Sequence, residues 1–296
     1  MSQHLRRTII LLAALGLSAG ASSTPVAPNT VMPIQPAGTS AQTDVPHPGP
    51  FLVSMNAKSG ALEVWPLRRG GGSHPKALSN PLGIGVAAAL ATKGELVAIV
   101  TQYPPQLALY NIENRSLRTL AEPFGVPTDV AIGKDGTLYV NNVPKSGSSV
   151  TMYQPPAHRA VELKCGALKV SAAVAVDDEN DIFVQGYGSL SLFVAEIPAG
   201  PNGLQPQHCA RLPLKSDGGY CAGIAIDHPN TDDLVTLDNP DLCAGGVEGR
   251  LTVYPKPYDK QTGRSRVLAF ECAGGLRLSA DSKYVLFSDT NLSNQF

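Results

Sequence analysis

The stretch VPTDVAIGKDGTLYV, Val126 to Val140, places an alternating apolar run, a Lys-Asp-Gly turn and a second apolar run in direct succession. This pattern predicts two antiparallel strands joined by a tight hairpin, because glycine accepts the positive φ that short turns require. Four other stretches have the same arrangement: PLGIGVAAALATKGELVAIV, SAAVAVDDENDIFV, CAGIAIDHPNTDDLVTL and GGLRLSADSKYVLFSD. The opening stretch is therefore one copy of a repeat.

The spacing of the copies predicts the fold class. Aligned on one apolar position of each copy, they recur at intervals of 42, 44, 50 and 52 residues, and the aligned positions are Ala88, Val130, Val174, Ile224 and Leu276. Each unit continues into two further strand-like runs, such as SSVTMYQ and RAVELK after the second copy. Four short strands per unit, without apolar spacing at three and four residues, predict an all-β protein of the β-propeller type.

The ends of the repeat region leave two blade counts open. FLVSMNAKSGALEVWPL aligns with LYVNNVPKSGSSVTMYQ, so the first unit begins at its second strand, and the last strand, Tyr284 to Ser288, is also a second strand. We predict six blades, with the remainder of the last blade missing from the C-terminus. The alternative is five blades, in which ALEVWPL and HPKALS complete the last blade as its outer pair.

The N-terminus indicates export. Two arginines precede an apolar stretch from Thr8 to about Gly16, and Ala19-Gly20-Ala21 supplies a small-residue cleavage pattern. This stretch is shorter than the roughly 20 residues that span a bilayer, so we predict a signal peptide over residues 1–21. Residues 22–50 are rich in proline and predict a flexible linker, and residues 51–296 form the propeller. We expect a secreted or periplasmic monomer, cleaved near Ala21, with no membrane span.

The charge pattern and the cysteines add further limits. The formal net charge is -1 and no Lys/Arg stripe is present, so a nucleic-acid partner is not expected. All five cysteines follow the signal peptide, where disulfides persist. Cys221 and Cys272 precede first strands, whereas Cys243 lies in a glycine-rich loop. We predict that Cys243 pairs with Cys221 or Cys272, because a long loop gains most from closure.

Propeller topology predicts the position of a binding site. The fourth-to-first and second-to-third connections open on the same face, at the mouth of the central channel, where ligands commonly bind. Five predicted ligand-binding residues enter first strands or leave second strands there: Asp129, Asn141, Asn142, Asp238 and Asp289. No catalytic set is apparent, and the acidic run VDDENDI predicts a solvated hairpin turn. In an alternative reading, Asp238 and Asp289 hold Ca²⁺, which would polarise a lactone carbonyl.

Three copies resemble NHL-type repeats: PTDVAIGKDGTLYVNN, AGIAIDHPNTDDLVTLDN and LSADSKYVLFSDTN, the last of which keeps Asp289, Thr290 and Asn291. The resemblance implies a six-bladed propeller of the gluconolactonase-like and TolB-like superfamily, which includes both secreted binding proteins and lactone hydrolases. The metal-binding Glu and the Asn-Gly pair of the lactonases have no counterpart here. We therefore expect a cofactor-free binding protein that presents mouth loops to a glycan, peptide or envelope protein. A metal-dependent lactonase-like hydrolase is the alternative.

Overall fold

The chain folds into consecutive antiparallel sheets. The computed structural model describes residues 51–55, 62–66, 76–77, 87–143, 147–156, 158–167, 170–188, 191–201, 203–214, 220–227, 231–239, 248–258, 263–269, 273–279 and 285–289. The predicted signal peptide and linker, residues 1–50, lie outside this part. Among the described residues the only helical segment is a 3₁₀ turn at Pro206–His208, and no helix there is long and apolar enough to cross a membrane.

The strands follow the predicted order within each sheet. Sheet A contains β1 (Phe51–Met55), β2 (Leu62–Pro66) and β3 (Lys76–Ala77). Sheet B contains β4 (Ala87–Lys93), β5 (Leu96–Gln102), β6 (Pro105–Asn111) and β7 (Leu117–Ala121). Sheet C contains β8 (Val126–Ile132), β9 (Leu138–Val143), β10 (Ser149–Gln154) and β11 (Arg159–Lys164).

The second half of the chain repeats this order with one insertion. Sheet D contains β12 (Val170–Val176), β13 (Ile182–Gly188), β14 (Ser191–Ile197) and β17 (Ala210–Arg211), and a small hairpin, β15 (Ala199–Gly200) and β16 (Gly203–Leu204), precedes β17. Sheet E contains β18 (Tyr220–Ile226), β19 (Leu234–Asn239), β20 (Glu248–Tyr254) and β21 (Arg264–Ala269). Sheet F contains β22 (Ala273–Leu278) and β23 (Val285–Asp289).

The hydrophobic core lies between consecutive sheets. Val64 of sheet A packs with Ile99 of sheet B, and Leu107 of sheet B packs with Val130 of sheet C. The same face-to-face packing continues from sheet C to sheet F. Because both faces of these sheets are buried against their neighbours, the strands carry apolar residues on both faces, as in the buried runs of β5 and β8. The predicted propeller architecture is therefore confirmed.

A β-bulge recurs at one point of every first-to-second-strand ladder. The register skips a single residue in each, namely Ala88, Thr128, Ala172, Ala222 and Gly275. Counted from these bulges, Val130 is equivalent to Leu90 and Arg277, so the alignment on Ala88 was two residues early and that on Leu276 one residue early. The intervals become 40, 44, 50 and 53 residues. Consecutive residues of these strands are buried, as in β8, so an inserted bulge residue does not interrupt the run from which the copies were aligned.

The hairpin between β8 and β9 forms as the sequence predicts. The Gly133 amide donates to the Thr137 carbonyl at 2.8 Å, and Gly136 has a φ of 85°. The Asp135 carboxylate accepts from the amide and the hydroxyl of Thr137, each at 2.9 Å. Lys134, Asp135 and Gly136 therefore build a turn, on the face opposite the predicted site.

The ends of the described chain bear on the blade count without deciding it. Strand β2 lies between β1 and β3, and β22 and β23 form a separate two-stranded sheet. Within the described residues no ladder joins β23 to β2, as the five-bladed alternative would require. The number of blades stays a prediction.

One disulfide joins neighbouring sheets. Cys165, after β11, is bonded to Cys209, before β17, with 5.5 Å between the two Cα atoms. Cys165 is buried in the core between sheets C and D. Disulfide formation is thus confirmed in general, although this pair was not predicted. Cys243 and Cys272 lie outside the described residues, as does the side chain of Cys221, so the predicted pairing among these three stays a prediction.

Candidate binding face

The predicted topology brings the expected connections together on one face, which we call the mouth face. Glu122 lies in the fourth-to-first connection between β7 and β8, and its amide donates to the carbonyl of Pro105, after the second-to-third turn of sheet B. Its carboxylate lies beside residues of β9 and β10. Fourth-to-first and second-to-third connections are therefore neighbours, as the mouth model requires.

Asp129, the first predicted ligand-binding residue, is buried and pairs with Arg277. One carboxylate oxygen accepts from Arg277 Nη2 and from the Val130 amide at 2.8 Å, and the other accepts from the Val174 amide at 2.9 Å. Arg277 also donates from Nε to the Leu90 carbonyl at 3.2 Å. Strand β22 is thereby linked to β4 and β8. Both oxygens of Asp129 serve these internal contacts.

Asn141 links three strands of neighbouring sheets. Its side-chain amide nitrogen donates to Thr128 Oγ1 at 2.5 Å, and its Oδ1 accepts from Ser171 Oγ at 2.6 Å. Asn141 is fully buried. The alternation of the strand turns Asn141 and the following Asn142 to opposite faces of sheet C. Asn141 therefore serves the contact between sheets C and D.

Asn142 belongs to a buried chain of hydrogen bonds between sheets B and C. Its Nδ2 donates to Thr151 Oγ1 at 2.7 Å, and the Thr151 hydroxyl donates to Glu122 Oε1 at 2.7 Å. The Tyr153 hydroxyl lies 2.8 Å from Glu122 Oε2. Burial raises the pKa of Glu122, although the hydrogen bonds from Thr151, Phe124 and Tyr153 oppose the shift. Glu122 was not predicted, since nothing in its local sequence marks it as buried.

The other two predicted residues are less completely described. Asp238 is buried near the end of β19, opposite Arg250 in the register. Asp289 pairs with Ala273 in the backbone ladder, but its side chain lies outside the described part. Among described residues, no group of three or more His, Cys, Asp or Glu side chains could hold a metal ion. Because the Asp289 side chain lies outside the described part, the Ca²⁺ site of the alternative reading stays a prediction, and we derive no chemistry through it.

The mouth face also carries an exposed uncharged patch that the sequence analysis missed. Tyr103 and Pro104 form a two-residue turn between β5 and β6, and Tyr103 is 65 % exposed. Thr101 Oγ1 braces the turn by donating to the Pro104 carbonyl at 2.8 Å. Beside it lie exposed Pro123 and half-buried Phe124. We call Tyr103, Pro104, Pro105, Pro123 and Phe124 the Tyr103 patch. The sequence YPP, Tyr103 to Pro105, was the signal from which an exposed aromatic turn could have been predicted.

The opposite face carries a lysine at the centre of an acidic cluster. Lys256 Nζ lies 3.6 Å from Asp177 Oδ2, 2.9 Å from Glu179 Oε2 and 3.5 Å from Asp232 Oδ2. The Asp177 side chain is fully buried, so the solvated turn expected for VDDENDI is wrong at this position. Its Oδ1 accepts from the amides of Glu179 and Asp181, as in an Asx turn. Burial raises the pKa of Asp177 to about 6.

No protein-family model matches the chain, and no curated protein matches it in sequence. Solved structures do match it. A chain in the crystal structure of a nidogen/laminin complex aligns with a TM-score of 0.60 and 16% identity, over 81% of this chain and 84% of that chain. The chain has a β-propeller fold.

Two further solved propellers show how widely this fold is used. Virginiamycin B lyase from Staphylococcus aureus aligns with a TM-score of 0.54 and 9% identity, over 81% of this chain and 78% of that one. A putative gluconolactonase aligns with a TM-score of 0.56 and 11% identity, over 80% and 84%. At identities this low, the structural alignments establish the fold alone. Function has to be inferred from the residues of the site.

Proposed function

We propose that this protein is an exported binding protein that engages another protein through the mouth face, with the Tyr103 patch as its anchor. The observation that carries the proposal is an exposed aromatic residue on a braced turn, beside prolines and a second aromatic residue. Exposed apolar groups on rigid elements are typical of binding surfaces, because little conformational entropy is lost when they are buried. Within residues 101–106 and 121–126 the one charged residue, Glu122, is buried. The patch therefore favours an uncharged partner surface.

The hydrogen bonds of the mouth support a scaffold role for its polar residues. Asp129 and Asn141 direct their side-chain atoms at strands of the same ring. These contacts hold the sheets in fixed positions and so present the connecting loops rigidly. Export agrees with the disulfide between Cys165 and Cys209, since such bonds persist in oxidising compartments. Among the solved neighbours, the nidogen/laminin complex is a protein assembly.

A paired substitution tests the binding role. We expect a partner protein to co-purify with the unmodified chain. The amount of this partner that is retained should fall at least tenfold with Tyr103→Ala. Val267→Ala is the matched control, because Val267 is 53 % exposed on the outer strand β21 and lies outside the patch. A partner retained equally by both variants would contradict the proposed anchor.

The lactonase-like alternative has its own discriminating measurement. Stoichiometric calcium or zinc in the purified protein, together with lactone hydrolysis that Asp238→Ala abolishes, would favour a hydrolase. Under the binding proposal the unmodified protein hydrolyses no lactone, and a loss of hydrolysis with Asp238→Ala is informative only as long as the fold is intact. Circular dichroism of the variant checks that condition, because Asp238 is buried.

A further inference from the structure

The Tyr103 patch has a chemistry that suits one conformation of peptide in particular. Its described side chains are aromatic rings and proline rings, with no exposed charge. Aromatic-lined surfaces of this kind take polyproline II segments, whose extended backbone is formed before binding and costs little entropy to hold. The amide of Glu122 ties the β7–β8 connection to Pro105 at 3.3 Å, so the two halves of the patch lie side by side.

The chain itself contains a proline-rich segment of suitable composition. Residues 22–50 include seven prolines and a single acidic residue, Asp44. Two Pro-x-x-Pro motifs occur within twelve residues, PVAP at Pro25–Pro28 and PIQP at Pro33–Pro36. Val26 and Ala27 lie between the prolines of the first motif and Ile34 and Gln35 between those of the second, and neither motif contains a charge. This composition matches an uncharged aromatic and proline surface.

The length of the intervening chain permits the contact. Fourteen residues separate Pro36 from Phe51, the first residue of β1. At about 3.1 Å per residue these residues span roughly 45 Å. Sheet A packs directly on sheet B, at a separation of about 10 Å, and a seven-residue strand is about 23 Å long. The segment therefore reaches the Tyr103 patch even if it must pass along a whole strand.

We propose that residues 25–36 of this chain dock on the Tyr103 patch of the same molecule in a polyproline II conformation, and that a partner must displace them. The proposal concerns the regulation of the binding surface and so rests on the proposed function for its biological meaning. Docking within one chain has a high effective concentration, so weak contacts suffice to keep the patch covered. A partner with a tighter proline-rich segment would compete for the same surface.

Met32 offers a direct probe, because it lies between the two motifs. The chain from Ser22 onward contains three methionines, Met32, Met55 and Met152. Labelling their methyl groups with ¹³C gives three resonances, and Met32→Leu assigns the first. Packed against the face of an aromatic ring, the Met32 methyl shifts upfield from its random-coil position. We expect that shift in the unmodified chain, a return to the random-coil position with Tyr103→Ala, and no return with Val267→Ala.

Several results would overturn the proposal, and each is distinguishable from failure of the proposed function. Unchanged Met152 and Met55 resonances show that Tyr103→Ala has left the fold intact. A Met32 methyl at its random-coil position in the unmodified chain overturns the docking, as does an upfield shift that survives Tyr103→Ala. A shift that grows with protein concentration assigns the contact to a second copy and overturns docking within one chain. None of these measurements requires an external partner. Failure of the docking is therefore distinguishable from failure of the co-purification test of the proposed function.

Discussion

At the scale of single residues, Asp129 and Arg277 show that polar side chains at the mouth face are engaged in hydrogen bonds within the protein. The sequence correctly predicted that Asp129 enters a first strand at the mouth face. It could not predict the donors to its carboxylate, because the Val174 amide is 45 positions away and Arg277 is 148 positions away. Whether a carboxylate faces ligand or protein is decided by such long-range contacts. The ligand-binding role of the five mouth residues stays a prediction.

Removing the cation from this pair should destabilise the protein. Arg277→Met leaves the Asp129 carboxylate buried without its charge partner, and we expect the free energy of unfolding to fall by about 3 kcal/mol. Lys134→Met is the control, because the Lys134–Asp178 pair is exposed and should contribute less than about 1 kcal/mol. Urea unfolding of the two variants gives the comparison. Equal losses would show that the Arg277–Asp129 pair contributes no more to stability than a surface pair.

Asp177 should make stability depend on pH. Burial raises the pKa of its carboxyl to about 6 in the folded protein, above the value near 3.8 of an ordinary aspartate. Between these values the folded state binds more protons than the unfolded state, so this group's contribution to stability falls as pH rises towards 6. We expect Asp177→Asn to reduce the loss of unfolding free energy between pH 4.5 and pH 7. An identical pH dependence in both proteins would mean that Asp177 titrates normally.

At the scale of elements, the strands were readable from the sequence and their exact registers were not. Apolar alternation and turn residues located the hairpin from Val126 to Val143 and the four-stranded pattern of sheets B to E. The recurring bulge escaped detection, because residues on both faces of the first strands are buried and an extra residue does not stand out in such a run. The pairing of Cys165 with Cys209 also escaped, since it joins connections of different sheets.

The inner strands pack so closely that one glycine is required. A Cβ on Gly223 of β18 would lie 2.5 Å from the Leu276 backbone nitrogen on β22. We expect Gly223→Ala to lower the free energy of unfolding by about 1–3 kcal/mol, because the backbone of β22 must move. Gly166→Ala is the control, since a Cβ there has no neighbour within 4 Å. Thermal or urea unfolding that ranks the two variants equally would contradict the close approach.

At the scale of the whole molecule, consecutive similar sheets place several connecting loops on one face, which we propose to be the binding face. The repeat period predicted the propeller, and the topology predicted which connections share a face. The sequence did not reveal the Tyr103 patch, because the patch combines a second-to-third turn with the following fourth-to-first connection. Which loop side chains end up exposed together depends on the packing of the ring. Function in this fold therefore has to be tested at the surface itself.

Site-specific photo-crosslinking is the most direct test of the central claim that the Tyr103 patch binds another protein. A benzophenone amino acid would replace Tyr103 in one variant and Val267 in another, and each would be irradiated in the producing organism. We predict an adduct larger than the chain, containing one defined second protein, from position 103 and none from position 267. No such adduct at position 103, or the same partner captured at both positions, would contradict the account.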